Sequence, residues 1–155
     1  MDSIKSFHID HEKLKPGIYQ VRADVFGKGL FSGTVTTFDL RFTRPNHEPP
    51  IEPAALHTIE HLGAVYLRNN PHWREDIVYF GPMGCRTGFY LLLWELRYAK
   101  DKEVINLIRN MCKYILSYKG EVPGAKIAQC GNYLEHNLEL AKYYTARFLS
   151  AISDN

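Results

Sequence analysis

The segment His57-Thr58-Ile59-Glu60-His61 constrains this chain more than any other. Two imidazoles four residues apart stack on one face of a helix with a carboxylate beside them, so the segment must be helical for both rings to reach one cation. The inverted order His-x-x-Glu-His occurs among zinc-hydrolase signatures, and the five residues alone leave the reaction open. The flanks favour a helix. Glu52-Pro53 precedes Ala54, Ala55, Leu56, Ile59, Leu62, Ala64 and Val65. Proline suits a first turn because its missing N–H would have had no helical partner. Asn69-Asn70-Pro71 ends the run. Leu56, Ile59 and Gly63 then pack inward, leaving His57, Glu60, His61 and Ala64 as an adjacent stripe. A lone histidine is ordinarily a hydrogen-bonded core or surface residue; a pair at ligand spacing around a glutamate points to a metal.

A catalytic centre of this kind takes three protein ligands and keeps one position open, so a third donor must come from elsewhere. Cysteine offers Cys85, Cys112 and Cys130. Asn132 and Glu135 have capping-box spacing and an apolar-periodic run follows, which predicts a helix from Tyr133 to Ser150 with Cys130 just ahead of it. A thiol there meets the positive end of the helix dipole and is a plausible third ligand, and Gly131 permits close backbone approach. Cys112 falls among Leu107, Ile108, Met111 and Ile115 in a helix expected over Asp101–Tyr118, and reads as a small buried hydrophobe. Cys85 sits in the glycine-punctuated turn Gly81-Pro82-Met83-Gly84-Cys85-Arg86-Thr87-Gly88. Arg86 and exposed amides there favour a thiolate nucleophile or base, against which stands a structural thiol in a tight turn.

The remaining patterns set the fold class. Gly17–Val25 and Thr34–Phe42 alternate as antiparallel strands around a glycine-rich loop, and Ile77–Phe80 and Phe89–Trp94 flank the Cys85 turn. Phe38, Leu40 and Phe42 share one face of the second strand, and Thr37, Asp39 and Arg41 share the other. Arg41 is therefore available to a ligand or paired with Asp39 in solvent. Strand pairs interleaved with three helices predict an α+β fold, an antiparallel sheet with helices packed on one side. The length suits a single domain over residues 1–155, and 45% hydrophobic against 23% charged residues indicates a packed core.

The ordered set His57-Thr58-Ile59-Glu60-His61, Gly81-Pro82-Met83-Gly84-Cys85-Arg86-Thr87-Gly88-Phe89-Tyr90 and Cys130-Gly131 resembles the S-ribosylhomocysteine lyase family, LuxS. Ser6-Phe7 with Asp10-His11, and Phe38-Asp39-Leu40-Arg41-Phe42 with Pro45-Asn46, match that family's opening segments in the same order. The chain departs from the commonest pattern at Tyr79-Phe80 and in the Gly27–Gly33 loop, which touches pocket details and leaves the ligands intact. The resemblance implies a compact LuxS, metallopeptidase-like fold and a homodimer with both active sites at the interface. It also implies cleavage of S-ribosylhomocysteine to homocysteine and 4,5-dihydroxy-2,3-pentanedione, the autoinducer-2 precursor, by successive carbonyl migration and β-elimination. Carried over residue by residue, it makes His57, His61 and Cys130 ligands to one divalent metal, with Fe2+ expected and Zn2+ or Co2+ possible. Cys85 and Glu60 become the proton carriers, and Arg41, Ser6 and His11 the substrate-binding residues. His8, His47, His72 and His136 have no such support and read as surface or hydrogen-bonded residues.

Other classes fit less well. Nineteen Lys plus Arg against seventeen Asp plus Glu give a net charge of +2 with no dense basic run, which argues against nucleic acid. No apolar stretch is long enough for a membrane span and the start lacks a signal-peptide core. An odd, unpatterned set of cysteines fits a reducing cytoplasm. A pitrilysin-like peptidase would take a distant glutamate such as Glu135 as third ligand, although such proteases have no use for the Cys85 turn. A non-catalytic metal sensor or structural zinc module would close its coordination shell.

Overall fold

The computed structural model describes residues 10–95 and 101–153. The chain runs β1 (Gly17–Phe26), β2 (Gly33–Arg41), α1 (Pro53–Arg68), β3 (Ile77–Pro82), β4 (Gly88–Glu95), α2 (Asp101–Ser117) and α3 (Leu138–Ser153), with a single 3-10 turn at Gly29–Phe31 between the first two strands. The four strands form one antiparallel sheet in the order β1-β2-β4-β3. This is the α+β arrangement that the alternation of patterns predicts.

Alternation along the strands sorts the sheet into two faces. Phe38 and Leu40 pair with Leu91 and Phe89 across β2 and β4, and these residues face the helices. Aromatic rings knit that layer together: Phe42 stacks on Phe148 of α3 at 4.0 Å between centroids, and Phe80 on Phe89 at 5.2 Å. Gly63 lets α1 approach β3, since a Cβ there would run into the Phe80 ring and lie 3.2 Å from Met111 Sδ of α2. The opposite face of β2 carries Thr37, Asp39 and Arg41, and these are buried as well. Arg41 is 2% exposed, so its expected pairing with Asp39 occurs out of solvent.

Register also shapes the turn that bears Cys85. Arg41 stands opposite Gly88, and any Cβ at Gly88 would collide with the Leu40 carbonyl. The glycine thus brings the β3–β4 turn hard against the end of β2. Phe42 leaves the ladder at this point: its N–H, like that of Thr43, donates to the Thr87 carbonyl, at 3.0 and 3.1 Å. The second strand therefore ends at Arg41 and not at Phe42.

Helix α1 begins at Pro53 and ends at Arg68, capped by Asn69, whose side chain donates to the Val65 carbonyl at 2.7 Å. Leu56, Ile59 and Gly63 are buried, while His57, Glu60, His61 and Ala64 are half-buried, as their spacing predicts. The last helix departs from expectation, starting at Leu138 and not at Tyr133. Asn132 and Glu135 bond to each other in a closed turn: Asn132 Nδ2 donates to Glu135 Oε2 at 2.7 Å, and Glu135 N–H to Asn132 O at 3.1 Å. The cap is Asn137, whose Oδ1 accepts the Leu140 N–H at 3.0 Å. Its own N–H donates to Thr58 Oγ1 at 2.9 Å and Ala54 O at 3.2 Å, so α3 starts where it is stitched to α1.

Candidate metal centre and reactive thiol

His57 and His61 project from one side of α1, with ring centroids 4.6 Å apart. The Nδ1 of His57 lies 3.0 Å from the Glu135 carbonyl and that of His61 2.7 Å from the Pro123 carbonyl. A carbonyl only accepts, so each ring carries its proton on Nδ1 and keeps an unprotonated Nε2 for a cation. Gly124 makes room for the second of these bonds: its φ is +77° and a Cβ would lie 3.1 Å from His61 Nδ1.

Cys130 arrives from the loop ahead of α3. Its Sγ lies 3.3 Å from His57 Nε2 and accepts the Asn132 N–H at 3.4 Å. A tetrahedral ion about 2.3 Å from sulfur and about 2.0 Å from nitrogen sets those two donors roughly 3.5 Å apart, close to what is seen. Because α3 starts at Leu138, its dipole is too distant to act on Cys130; the Asn132 amide supplies the local positive charge.

His136 is the residue that sequence reading missed. One nitrogen is hydrogen-bonded as expected, yet the ring belongs to the same group, stacked on His57 at 4.1 Å and 4.8 Å from His61 between centroids. The Thr58 hydroxyl donates to Ala54 O at 2.7 Å, so its oxygen accepts from His136 Nδ1 at 3.3 Å. His136 Nε2 is then a lone pair, buried and without a hydrogen-bond partner among the described residues. Burial first, and then the repulsion that protonated His57 and His61 would exert, push the pKa of His136 down to about 4, keeping the ring neutral. No ligand spacing links His136 to the pentad or to Cys130. The only signal was the buried polar Thr58, which needs a partner. One donor atom from each of His57, His61, Cys130 and His136 lies within 4.8 Å of the others. Neutral imidazoles and a thiolate, each oriented by the surrounding chain, fit a divalent ion such as zinc or ferrous iron.

Glu60 shares the half-buried stripe of His57 and His61. Glu135 contributes its backbone carbonyl to His57 while its carboxylate, bonded to Asn132, stays exposed. It is the wrong atom for the glutamate ligand of a pitrilysin-like peptidase. His47 and His72 are exposed, as expected, and Ser6 and His8 lie outside the described residues.

A second group surrounds Cys85. The turn from Met83 to Arg86 closes with Arg86 N–H donating to Met83 O at 2.9 Å, and Arg86 adopts φ +56°, a left-handed conformation that strains a non-glycine residue. Ile51 N–H, just ahead of α1, donates to Arg86 O at 2.8 Å and ties this turn to the helix carrying the imidazoles. Cys85 Sγ is 3.1 Å from Thr87 Oγ1 and 3.9 Å from Arg41 Nη1. Burial raises the thiol pKa, but hydrogen bonds from Thr87 and the charge and hydrogen bond of Arg41 together outweigh it and hold Cys85 below the ordinary thiol value. The guanidinium acting on Cys85 therefore belongs to Arg41 and not to Arg86. Arg41 is gripped by Asp39 through Nε–Oδ1 at 3.2 Å and Nη2–Oδ2 at 2.5 Å. Burial raises the pKa of Asp39, opposed by Arg41 and by the charge of half-buried His11. Cys112 is fully buried, which pushes its thiol up to about 12 and leaves it inert.

Comparison with known proteins agrees with this picture. A family model described as S-Ribosylhomocysteinase (LuxS) matches residues 4–155. The S-ribosylhomocysteine lyase of Borreliella afzelii (strain PKo) is 51% identical over 154 residues, covering 99% of this chain and 94% of the relative. That of Clostridium acetobutylicum is 50% identical over 155 residues, covering 100% and 94%. That of Phocaeicola vulgatus is 46% identical over 155 residues, covering 100% and 92%.

Proposed function

The chain belongs to the S-ribosylhomocysteinase (LuxS) family, and from that premise we propose how its residues carry the reaction. It is an S-ribosylhomocysteine lyase, which releases homocysteine and leaves 4,5-dihydroxy-2,3-pentanedione, the autoinducer-2 precursor. A thioether at C5 of a sugar leaves only when a carbanion forms at C4. Moving the carbonyl from C1 to C2 and then to C3 acidifies that hydrogen and permits β-elimination.

His57, His61 and Cys130 hold one divalent ion, Fe2+ in our assignment with Zn2+ or Co2+ as substitutes, an assignment supported by the nitrogen and thiolate donor set. When bound there, such an ion would supply Lewis-acid stabilisation of negative charge developing on a sugar oxygen. Cys85 as thiolate takes and returns the proton at one carbon, and Glu60 moves protons at the oxygens and at the other carbon. Arg41, Ser6 and His11 position the sugar and Cys85. For Arg41 the buried contacts with Asp39 and Thr87 support the second role. A single domain over residues 1–155 acts as a homodimer with its active sites at the interface. The exposed apolar side chains Val25, Phe26 and Leu30 along β1 and its loop support that assembly. We place it in the cytoplasm, where three unpaired cysteines persist. No helix of the described residues is long and apolar enough to cross a membrane.

The observation that carries this proposal is the convergence of donor atoms from His57, His61, Cys130 and His136 within 4.8 Å. Metal-loaded protein incubated with S-ribosylhomocysteine and a thiol reagent should release free homocysteine. Cys85→Ala should retain metal and release almost none. Glu135→Gln should leave metal binding intact; its loss would restore the peptidase alternative.

A further inference from the structure

We propose that Thr87 is the positioning residue that donates a hydrogen bond to the Cys85 thiolate, its hydroxyl oriented and polarised by the buried Asp39–Arg41 pair. The proposal rests on Cys85 serving as a base, and it follows from counting donors. Arg41 can only donate, and its Nη1 points at Thr87 Oγ1, so that contact occupies a lone pair of the hydroxyl oxygen. The one hydroxyl hydrogen of Thr87 must then turn elsewhere, and Cys85 Sγ lies 3.1 Å away. Direct contact between Arg41 and the sulfur is much longer, at 3.9 Å, so the guanidinium acts on the thiolate chiefly through the hydroxyl between them.

Each member of this chain is held from behind. Asp39 grips one edge of the guanidinium through Nε and Nη2, leaving Nη1 free for Thr87. The Thr87 carbonyl receives the N–H groups of Phe42 and Thr43, which fixes the backbone beneath the hydroxyl. Thr87 is buried and Cys85 exposed, so the donor is sheltered from water while the sulfur faces outward to a substrate. Among the described residues, the titratable and charged groups bearing on the cluster are Asp39 and Arg41 from β2, Arg22 from β1, Tyr90 from β4, and His11 from the segment ahead of β1. Tyr90 stands opposite Asp39 in the ladder, and burial raises its phenol pKa, so it enters as a neutral ring.

The test is the pH dependence of iodoacetamide alkylation at Cys85 in the metal-loaded protein, with the modified peptide identified by mass. Thr87→Val keeps the shape of the side chain and removes the hydroxyl. Its alkylation midpoint should move up by about one pH unit, the scale of a hydrogen bond to a charged group, giving about tenfold less thiolate below the midpoint. Thr87→Ser should restore the parent profile. Thr87→Ala repeats the deletion with a smaller group in case valine does not fit. A midpoint unmoved in both hydroxyl-free variants, or moved equally in Thr87→Ser, would overturn the proposal. A raised midpoint with undiminished homocysteine release would support the Thr87 contact and remove Cys85 from the reaction.

Discussion

Thr58, the second residue of the His57–His61 pentad, offers the sharpest test of how the candidate metal centre is assembled. It is fully buried, and its hydroxyl donates to Ala54 O while accepting from Asn137 N–H and His136 Nδ1. Thr58→Val nearly preserves shape and deletes all these contacts. Ala54 O and Asn137 N–H still bond to each other at 3.2 Å, so the main loss is the partner of His136 Nδ1. An orphaned buried donor costs about 1–3 kcal/mol, and we expect about 2 kcal/mol from denaturant unfolding of the metal-free protein. For a chain of this size that lowers the melting temperature by ~4–8 °C. The substitution also releases the His136 ring, so metal affinity measured by chelator competition should fall about tenfold or more, as when an outer-shell partner is lost. Thr58→Ser keeps the hydroxyl and should bind metal normally, losing about 1 kcal/mol for its missing methyl group. Stability within about 0.5 kcal/mol of the parent would refute the role of Thr58 as the stitch between α1 and α3. Lower stability with unchanged metal affinity would show that His136, although grouped with the other donors, takes no part in holding the ion.

Three further outcomes follow from the same geometry. Gly63→Val should cost about 1–3 kcal/mol in denaturant unfolding, because its side chain meets the Phe80 ring and Met111 where α1 sits on the sheet. Gly124→Ala strains a left-handed residue and presses on His61 Nδ1, so chelator competition should show metal affinity falling by about tenfold, with little change in Cys85 alkylation. Cys85 has a lowered folded-state pKa, so folding favours its thiolate. That contribution is fully present above the unfolded thiol's value of about 8.5 and is lost as pH falls through the folded value. Cys85→Ala should flatten the corresponding part of the stability–pH profile from denaturant unfolding, whereas Cys112→Ala should alter the profile only above about pH 8.5, where the raised thiol of Cys112 ionises on unfolding and costs stability.

Much of this arrangement was legible in the sequence because it depends on local periodicity. The apolar spacing of Leu56, Ile59 and Gly63 fixed which face of α1 is inward and hence where His57, Glu60 and His61 lie. Alternation placed Asp39 and Arg41 on one face of β2, but a strand pattern does not reveal that this face is buried too. The start of α3 was misplaced because capping-box letters at Asn132 and Glu135 serve equally to close a turn. That error hid His136, which falls in the loop crossing α1 only once Asn137 is recognised as the cap. The source of charge at Cys85 was left open by the local sequence for a related reason. Arg86 is adjacent in sequence, whereas Arg41 is brought in by register, through the pairing of Arg41 with Gly88. Contacts set by sheet register or by the docking of helix ends carry no short-range signature.

The placement of carboxylates separates the two halves of the proposed chemistry. Every Nδ1–H at the metal cluster ends on a neutral oxygen, those of Glu135, Pro123 and Thr58. A carboxylate in any of those places would raise ligand basicity and draw down the electrophilicity of a bound cation. Neutral rings and one thiolate would leave a bound dication with net positive charge, the condition that the proposed chemistry sets for developing negative charge on a sugar oxygen. The Glu135 carboxylate is withheld by Asn132 and that of Asp39 by Arg41. At Cys85 the order of groups matters for the same reason: Asp39 touching the sulfur directly would oppose a thiolate. With the guanidinium and the Thr87 hydroxyl interposed, the same buried carboxylate fixes the cation that favours it.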